Sequence, residues 1–409
     1  MEKADKMIYG GCVYVIIYII ASLPIACSYV MSGGDILIWL ARIEEVRNGI
    51  RVGEILMYPS AELTVAYNAQ ISALNTNLWL MIPVFFRIIG FTITNAYRVY
   101  MLLLNLVALL CAKKLFEQLF ERKSVAAIGA LLYMTSPYRI YICYDKANLG
   151  QVAAWSLIPL VIWGMIFSYR SKREWLSVGL SGIALAAVGY ADGVLFIITL
   201  GISMVWLIYS KKAKVFCSLL IGGILYLPGA IYMLRYLLKG GMEVWRLPLS
   251  SISESGYRLG QFFSSWTYRS GCPGLGMGLM IALANLVLIC FVEGKQYVIK
   301  KYGYFVILFI LCSFMSMQVF PWDVVQRVGA LFLRLIPLME TPGICFGYVS
   351  LAAGVLGAYG IECTLTQEKL FHRVGVPIIV VLASIGVAVY MCNTLTYSRV
   401  PMFLIDSLN

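Results

Sequence analysis

Long apolar segments constrain what this 409-residue chain can fold into more than any other feature. A run of about eighteen or more apolar residues is long enough to cross a bilayer as a helix. Apolar residues make up 61% of the chain and charged residues only 13%, which excludes an ordinary soluble domain. The sequence therefore predicts an all-α polytopic membrane protein, a single transmembrane domain over 1–409 with about eleven transmembrane helices. The predicted spans lie near 8–30, 94–118, 124–141, 150–169, 174–190, 193–209, 215–236, 274–292, 302–319, 342–363 and 374–395.

Short basic connections predict which ends of these helices face the cytoplasm. They follow every second span, on the same side as Lys3 and Lys6, and cytoplasmic loops are enriched in Lys and Arg. We therefore predict a multi-pass protein of the cell membrane with a cytoplasmic N-terminus. The alternation requires that 75–91 does not cross the membrane. The extracytoplasmic side then carries the first outer loop with interfacial helices, two further large loops and the chain end; the three loops are 31–93, 238–273 and 318–341.

Histidine and cysteine usage argues against one class of metal site. The chain has one histidine, His372, so a His-based zinc site is not expected. Its eleven cysteines include no Cys-x-x-Cys pair and lie mostly in apolar segments, which indicates packing residues. The net charge of +12 and the many outer-loop arginines fit either long loops that tolerate them or an anionic lipid headgroup as ligand. Nucleic acid is not an expected partner.

The first outer loop contains the leading candidate for chemistry. Asp35 follows Ser32-Gly33-Gly34, and apolar residues at helical spacing run from Ile36 to Ile50. A carboxylate there can cap a helix, or it can act as the general base that a sugar transfer to a hydroxyl needs. Tyr58-Pro59-Ser60 and an amide-rich patch at 68–77 follow, and amides beside aromatics suit either sugar recognition or a hydrated loop.

A second crossing, 136–151, joins two spans on the outer side. It contains Tyr138, Arg139, Asp145 and Lys146. The tyrosines can be interface anchors. Asp145 is the second catalytic candidate: it can bind a divalent cation together with Asp35, or hold the neighbouring cations in place. One or two carboxylates and substrate phosphates are enough for Mg²⁺. The residues leave open whether Mg²⁺ or Mn²⁺ is used, and no other cofactor is expected.

A third segment, 318–327, reads as a loop with a short interfacial helix. Asp323 and Arg327 can face a site or form an ion pair with each other at helical spacing. Guanidinium groups bind phosphate oxygens bidentately. The candidates for a donor phosphate are therefore outer-side cations, namely Arg139, Lys146, Arg258, Arg269 and Arg327. The Gly-rich run 271–278 resembles a phosphate loop only superficially, because no strand precedes it; small-residue helix packing is the preferred interpretation.

The order of these segments resembles the bacterial YfhO-like membrane proteins, including those described as 6-pyruvoyl-tetrahydropterin-synthase-related. They belong to the GT-C glycosyltransferase superfamily. The segments that carry the resemblance are Asp35, Tyr58-Pro59-Ser60, Ser136-Pro137-Tyr138-Arg139, Asn148-Leu149-Gly150-Gln151, Phe320-Pro321-Trp322 and Ile336-Pro337-Leu338. The chain departs from relatives in 146–151, where Gln151 replaces an acid, and in 339–343.

The resemblance implies a cell-envelope glycosyltransferase that transfers a sugar with inversion from a polyprenyl-phosphate-linked donor. It implies an extracytoplasmic active site with an acidic catalytic residue in the first outer loop, which corresponds to Asp35. Partners would be the donor lipid, membrane lipids and a glycan, lipid or protein acceptor. Two alternatives stay open: a lipid or glycolipid transporter or flippase, and a non-catalytic scaffold with a GT-C-like fold. Charge gathers at one face rather than in mid-span, which argues against transport.

Overall fold

The computed structural model describes residues 2–26, 29–31, 35–60, 75–170, 174–238, 250–264, 273–293, 296–329, 342–366, 371–394, 399–401 and 406. This part of the chain is nearly all helical. The N-terminal half contains α1 Glu2–Ser22, β1 Tyr29–Met31, α2 Ile36–Arg51, α3 Met81–Ile88, α4 Ile93–Leu119, α5 Lys123–Met134, α6 Pro137–Ile140, α7 Leu149–Arg170 and α8 Glu174–Ala191. The C-terminal half contains α9 Gly193–Ser210, α10 Ala213–Leu238, α11 Ser250–Glu254, α12 Leu259–Phe262, α13 Met277–Glu293, α14 Gln296–Ser316, α15 Trp322–Arg327, α16 Phe346–Thr364, α17 Val376–Thr394 and β2 Arg399–Pro401.

Each predicted span contains a helix. Within the described residues, six helices are long and apolar enough to cross a membrane, judged by length and composition, and the others are shorter apolar helices. The third predicted span, 124–141, is wrong at its end: α5 stops at Met134. Ser136 adopts an extended conformation (ψ 137°) because the ring of Pro137 disfavours the helical region for the preceding residue.

The segment before α4, which the basic connections predict not to cross the membrane, has only a short helical part. A 3₁₀ turn at Leu78–Leu80 and α3 make up its helical part. At 1.5 Å per residue the two together reach only about 16 Å, against about 30 Å of bilayer core. The short helix α3 packs on α2 and α4 and leaves Phe85 and Ile88 exposed. These are the features of a helix that lies along the interface.

The core of the bundle is built around α16 and α7. The apolar window that includes α16 is wholly buried and that of α7 is 89% buried, whereas those of α10 and α17 are mostly exposed. A helix that is apolar on every side needs either protein or lipid around it. Helices α7 and α16 are therefore enclosed by other helices, and α10 and α17 present apolar surface to a bilayer.

Segments predicted to lie on the outer side meet at one end of the bundle. Strands β1 and β2 pair antiparallel, so the chain end returns to the first outer loop. Asp406 accepts hydrogen bonds from the Thr94 hydroxyl at the start of α4, at 2.8 and 3.0 Å. In the Gly-rich run, Gly276 has φ +81°, and a Cβ there would lie 2.6 Å from Pro137. That run is a packing contact, as predicted.

Candidate functional site

Asp35 lies at the N-terminus of α2 without capping the helix through its side chain. It occupies the N-cap position, yet no side-chain cap hydrogen bond forms. Instead, Asp35 Oδ2 accepts a hydrogen bond from Asn148 Nδ2 at 2.9 Å. The backbone N–H of Asp35 donates to the carbonyl of Lys146 at 3.1 Å. The interpretation that the Asp35 side chain caps α2 is therefore wrong. The carboxylate instead contacts the 145–148 segment.

That segment has an unusual backbone. The N–H of Lys146 donates to the carbonyl of Tyr141 at 2.9 Å, five residues back, which makes 141–145 a π-type turn. Ala147 has φ +52° and is fully buried. Turns of this kind and left-handed non-glycine residues cost energy and occur often at functional sites. Together they place the Lys146 carbonyl and the Asn148 side chain, at the start of α7, against Asp35.

Asn148 joins two helix N-termini. Its Oδ1 accepts from the Gln151 N–H at 3.0 Å, which caps α7, while its Nδ2 binds Asp35 at the start of α2. Gly150 lets the start of α7 pack closely against the end of α8 and against Asn75. A Cβ at this position would lie 2.7 Å from the Ala191 carbonyl and 2.8 Å from Asn75 Nδ2. Helix N-termini carry partial positive charge and favour anions. The site therefore combines a carboxylate with positive helix ends.

Asp145 directly precedes Lys146 in this segment and is partly buried. Burial raises the pKa of its carboxyl group to about 6, since a low-dielectric environment disfavours the charged form. A nearby cation would restore the charged form. Within the described residues, no group of three or more His, Cys, Asp or Glu could hold a metal. A divalent cation at Asp35 or Asp145 would therefore need substrate phosphates among its ligands.

Arg42 fastens the first outer loop to α2. Its guanidinium is fully buried, lies 4.5 Å from the ring centroid of Trp39, and donates to Asn77 Oδ1 at 2.6 Å and to the Asn75 carbonyl at 2.8 Å. Burial lowers its pKa to about 9, which leaves it charged at neutral pH. Asn75, Thr76 and Asn77 are at most 4% exposed. One of the two interpretations of the amide patch was a hydrated loop. That interpretation is wrong for residues 75–77, because they are buried.

Tyrosines line the region beside the buried amides. The rings of Tyr58 and Tyr232 are stacked, and burial together with neighbouring tyrosines raises the pKa of Tyr58 to about 12. Thr76 donates to the Tyr190 carbonyl at 2.6 Å, which ties this cluster to the amides. Asp192 Oδ1 caps α9 by accepting from the Leu195 N–H at 2.8 Å. We call Tyr58, Tyr190, Tyr226 and Tyr232 the tyrosine cluster.

Two predicted residues lie beneath the site rather than in it. Arg139 is 3% exposed; its Nη2 donates to Asn105 Oδ1 at 3.1 Å, and its guanidinium faces the Tyr133 ring. Tyr138 is 4% exposed and packs its ring edge to face against Trp155. Both side chains support the turn that carries Asp145 and Lys146.

Three other predicted residues belong to a second group of outer segments. Ser253 Oγ donates to Asp323 Oδ1 at 3.3 Å, and Tyr257 bridges to Met317, so the loops before α12 and α15 pack together. The alternative of an ion pair between Asp323 and Arg327 is not realised in this described segment. Arg258 and Arg327 are exposed and have no hydrogen bond or ion pair with Asp35. Arg269 lies outside the described residues.

Residue patterns alone missed the roles of Arg42 and Asn148. Arg42 looked like one more outer-loop cation, and nothing in its neighbours marks it as buried. Asn148 had a readable signal: Asn followed three residues later by Gln, immediately before an apolar run, is a helix-start pattern. The hydrogen bond to Asp35 had no such signal, because it joins residues 113 positions apart.

Comparison with known proteins finds likeness at the level of the fold. No family model and no curated protein matches the chain. The archaeal oligosaccharyltransferase AglB from Archaeoglobus fulgidus, in complex with an inhibitory peptide and a dolichol-phosphate, aligns with a TM-score of 0.59 and 12% identity, over 96% of this chain and 56% of that one. The apo form of the Archaeoglobus fulgidus enzyme gives 0.57 and 12%, with the same coverage of each chain.

A complex of the same enzyme with Zn and sulfate gives a TM-score of 0.52 and 13% identity, over 94% of this chain and 53% of that one. The chain thus spans just over half the length of these enzymes. Identities this low establish the fold and nothing more. The protein has the GT-C-like fold of the membrane oligosaccharyltransferases.

Proposed function

We propose that this protein is a membrane glycosyltransferase that transfers a sugar from a polyprenyl-phosphate-linked donor to an acceptor, with inversion, at the extracytoplasmic face. The observation that carries the proposal is the Asp35 carboxylate, which Asn148 fixes where helices α2 and α7 begin. The GT-C-like fold supports the reaction class. The YfhO-like resemblance supports the same class and the same residue.

Asp35 is the general base in this proposal. The acceptor hydroxyl attacks the anomeric carbon of the donor, and Asp35 takes the hydroxyl proton. The bond from the anomeric carbon to the phosphate oxygen breaks, and its electron pair leaves with polyprenyl phosphate. Attack from the face opposite the leaving group gives inversion. The hydrogen bond from Asn148 to Oδ2 orients the carboxylate so that its other oxygen can face the acceptor.

Negative charge develops on the leaving phosphate in the transition state. Positive groups that are already in position stabilise this charge most. The N-terminus of α7, joined to Asp35 through Asn148, supplies part of this charge, and the Lys146 ammonium is proposed to supply more. Arg258, Arg269 and Arg327 are candidates for the rest of the lipid phosphate contact, supplied by the other outer loops. Mg²⁺ or Mn²⁺ held by Asp35 and Asp145 would neutralise the phosphate when bound. Arg139 acts as a support for the turn.

Tyr58, Tyr190 and Tyr232, the partly exposed members of the tyrosine cluster, are the proposed sugar-binding surface. Their rings offer apolar faces with a hydroxyl at the edge, and the buried Thr76 holds the cluster in place through the Tyr190 carbonyl. One solved structure of the archaeal enzyme contains a dolichol-phosphate, and another contains a tethered acceptor peptide. We infer a lipid-linked donor for this chain as well, and a glycan, lipid or protein acceptor.

The experiment that tests the proposal presents a panel of polyprenyl-phosphate sugars to the purified chain in lipid. Release of polyprenyl phosphate is measured by mass spectrometry, and donor binding is measured by the shift in melting temperature. We expect one donor to be cleaved and to raise the melting temperature. Failure of every donor in both measurements would falsify the proposal.

Transport is the second candidate, favoured by one observation. Arg139 and Asn105 form a buried polar pair, and α4 places Asn105 twelve residues, or about 18 Å, from the helix start at Ile93. Buried ionisable groups at such depth often mark transport paths. A fluorescent polyprenyl-phosphate lipid in proteoliposomes separates the two: a transporter equilibrates it between leaflets without releasing sugar, and the transferase does not.

Replacing Asn148 by Ala is expected to lower kcat for sugar release about ten- to a hundredfold. The change removes the hydrogen bond from Asn148 that orients the Asp35 carboxylate, and the α7 cap with it. Misplaced catalytic groups lose rate of this order. Asn148→Asp separates the two effects, because it keeps the cap and replaces the donor to Asp35 with a repelling carboxylate. Equal kcat in the wild type and in both variants would remove Asn148 from the mechanism.

A further inference from the structure

An apolar groove opens at the end of the bundle opposite Asp35. It has a volume of about 1030 Å³ and lies between α1, α5 and α17, with the last turns of α4 at its mouth. Its apolar lining includes Ile17, Ile128 and Val381. The mouth lies near Lys113 and Lys114, and Lys114 faces the ring of Trp163, which is fourteen residues, or about 21 Å, along α7 from the Asp35 end at Leu149.

Positive charge is concentrated at the mouth of this groove. Lys113, Arg122 and Lys123 line it against one carboxylate, Glu117, which accepts from the Tyr14 hydroxyl at 3.4 Å. Among the described residues, no carboxylate lies within ion-pair distance of any of the three cations. Helix α5 also begins here: Arg122 is its N-cap residue and makes no side-chain cap bond. The partial positive charge of that helix end adds to the cations.

We propose that this groove binds an anionic membrane phospholipid, with an acyl chain along α1 and α5 and the phosphate at Lys113, Arg122 and Lys123. The argument is charge complementarity: an apolar channel ends in cations that form no ion pair within the described part of the chain, as a lipid with a net negative headgroup requires. The donor lipid is a poorer fit, because a phosphate at this mouth would lie far from Asp35. The inference is independent of the proposed glycosyl transfer.

The test is lipid binding by the purified full-length chain, measured by native mass spectrometry with phosphatidylglycerol and phosphatidylcholine of matched chains. Each surface cation strengthens binding about fivefold, so K113Q/R122Q/K123Q should weaken phosphatidylglycerol binding on the order of a hundredfold. The matched control, K211Q/K212Q/K214Q, removes the same charge from another basic connection and should change binding less than about threefold. Equal binding of the two lipids by the wild type overturns the proposal.

A second variant keeps the charges and fills the groove. A Cβ at Gly11 meets no atom within 4 Å, so Gly11→Phe can enter the groove without a backbone clash. We expect it to weaken phosphatidylglycerol binding at least tenfold at an unchanged melting temperature. Undiminished binding by Gly11→Phe means that the acyl chain lies elsewhere. Displacement of phosphatidylglycerol by an equimolar amount of polyprenyl phosphate means that the groove belongs to that lipid; either result rejects the proposed occupant.

Discussion

Asp35→Asn is expected to lower the release of polyprenyl phosphate by about 10²- to 10⁴-fold, the usual contribution of a general base. Asparagine has the shape of aspartate and its Oδ1 can still accept the Asn148 hydrogen bond, but the amide cannot take the acceptor proton. Asparagine is also tolerated at an N-cap position. The measurement is single-turnover release from the cleaved donor, in lipid, beside the wild type.

The Asp35→Asn result is interpretable only if the variant folds and binds donor. We therefore expect the donor-induced rise in melting temperature to persist while turnover is lost. Glu362→Gln is the matched control, since Glu362 lies 3.6 Å from Lys301 at the far end of the bundle and takes no part in the site. It should keep wild-type release. A variant at Asp35 that retains release within about threefold of the wild type would leave this carboxylate a purely structural role.

Arg42→Met is expected to give the largest loss of stability among single changes at the first outer loop, about 2–4 kcal/mol. Methionine fills much of the same volume, but the Asn75 carbonyl and Asn77 Oδ1 lose their buried donor. Each unsatisfied buried acceptor costs about 1–3 kcal/mol, partly offset because a buried charge is also removed. The change in unfolding free energy can be measured by denaturant titration of the purified protein in detergent.

Comparison with an exposed arginine makes the Arg42 prediction specific. Arg258 is exposed, so Arg258→Met should change the unfolding free energy by less than about 0.5 kcal/mol. Arg42→Lys should lie between the two, because an ammonium group keeps the charge but cannot reproduce the planar contacts with Asn77 and Trp39. Equal stability of Arg42→Met and wild type would contradict the role assigned to the buried guanidinium.

Much of the fold could be predicted because a bilayer imposes length and apolarity on every crossing helix. Those two requirements predict eleven spans, each of which contains a helix, and the basic connections predict that 75–91 does not cross. The end of the third helix could also have been predicted, because Pro137 disfavours a helical conformation at Ser136. The predicted span was too long because the apolar residues after Pro137 were included in it.

The candidate site could be predicted only in its parts. Asp35, Asp145 and Lys146 stood out because carboxylates and cations are rare and costly near apolar spans. The burial of Arg42 and Arg139 could not be predicted from the sequence, because it depends on hydrogen-bond partners that are distant in the chain. The partner is Asn77 for Arg42 and Asn105 for Arg139. A local pattern is the same whether such a side chain ends in water, at a phosphate or inside the protein.

By itself, the sequence determined that this chain is a helical membrane protein, where its helices run and which acids could do chemistry. Hydrophobicity and charge act residue by residue, so they can be read without a fold. The tertiary structure alone decided that Asp35 meets Asn148, that a π-type turn and Ala147 shape the approach, and that Arg42 and Arg139 are enclosed. Those outcomes depend on contacts between residues far apart in the chain, which only packing brings together.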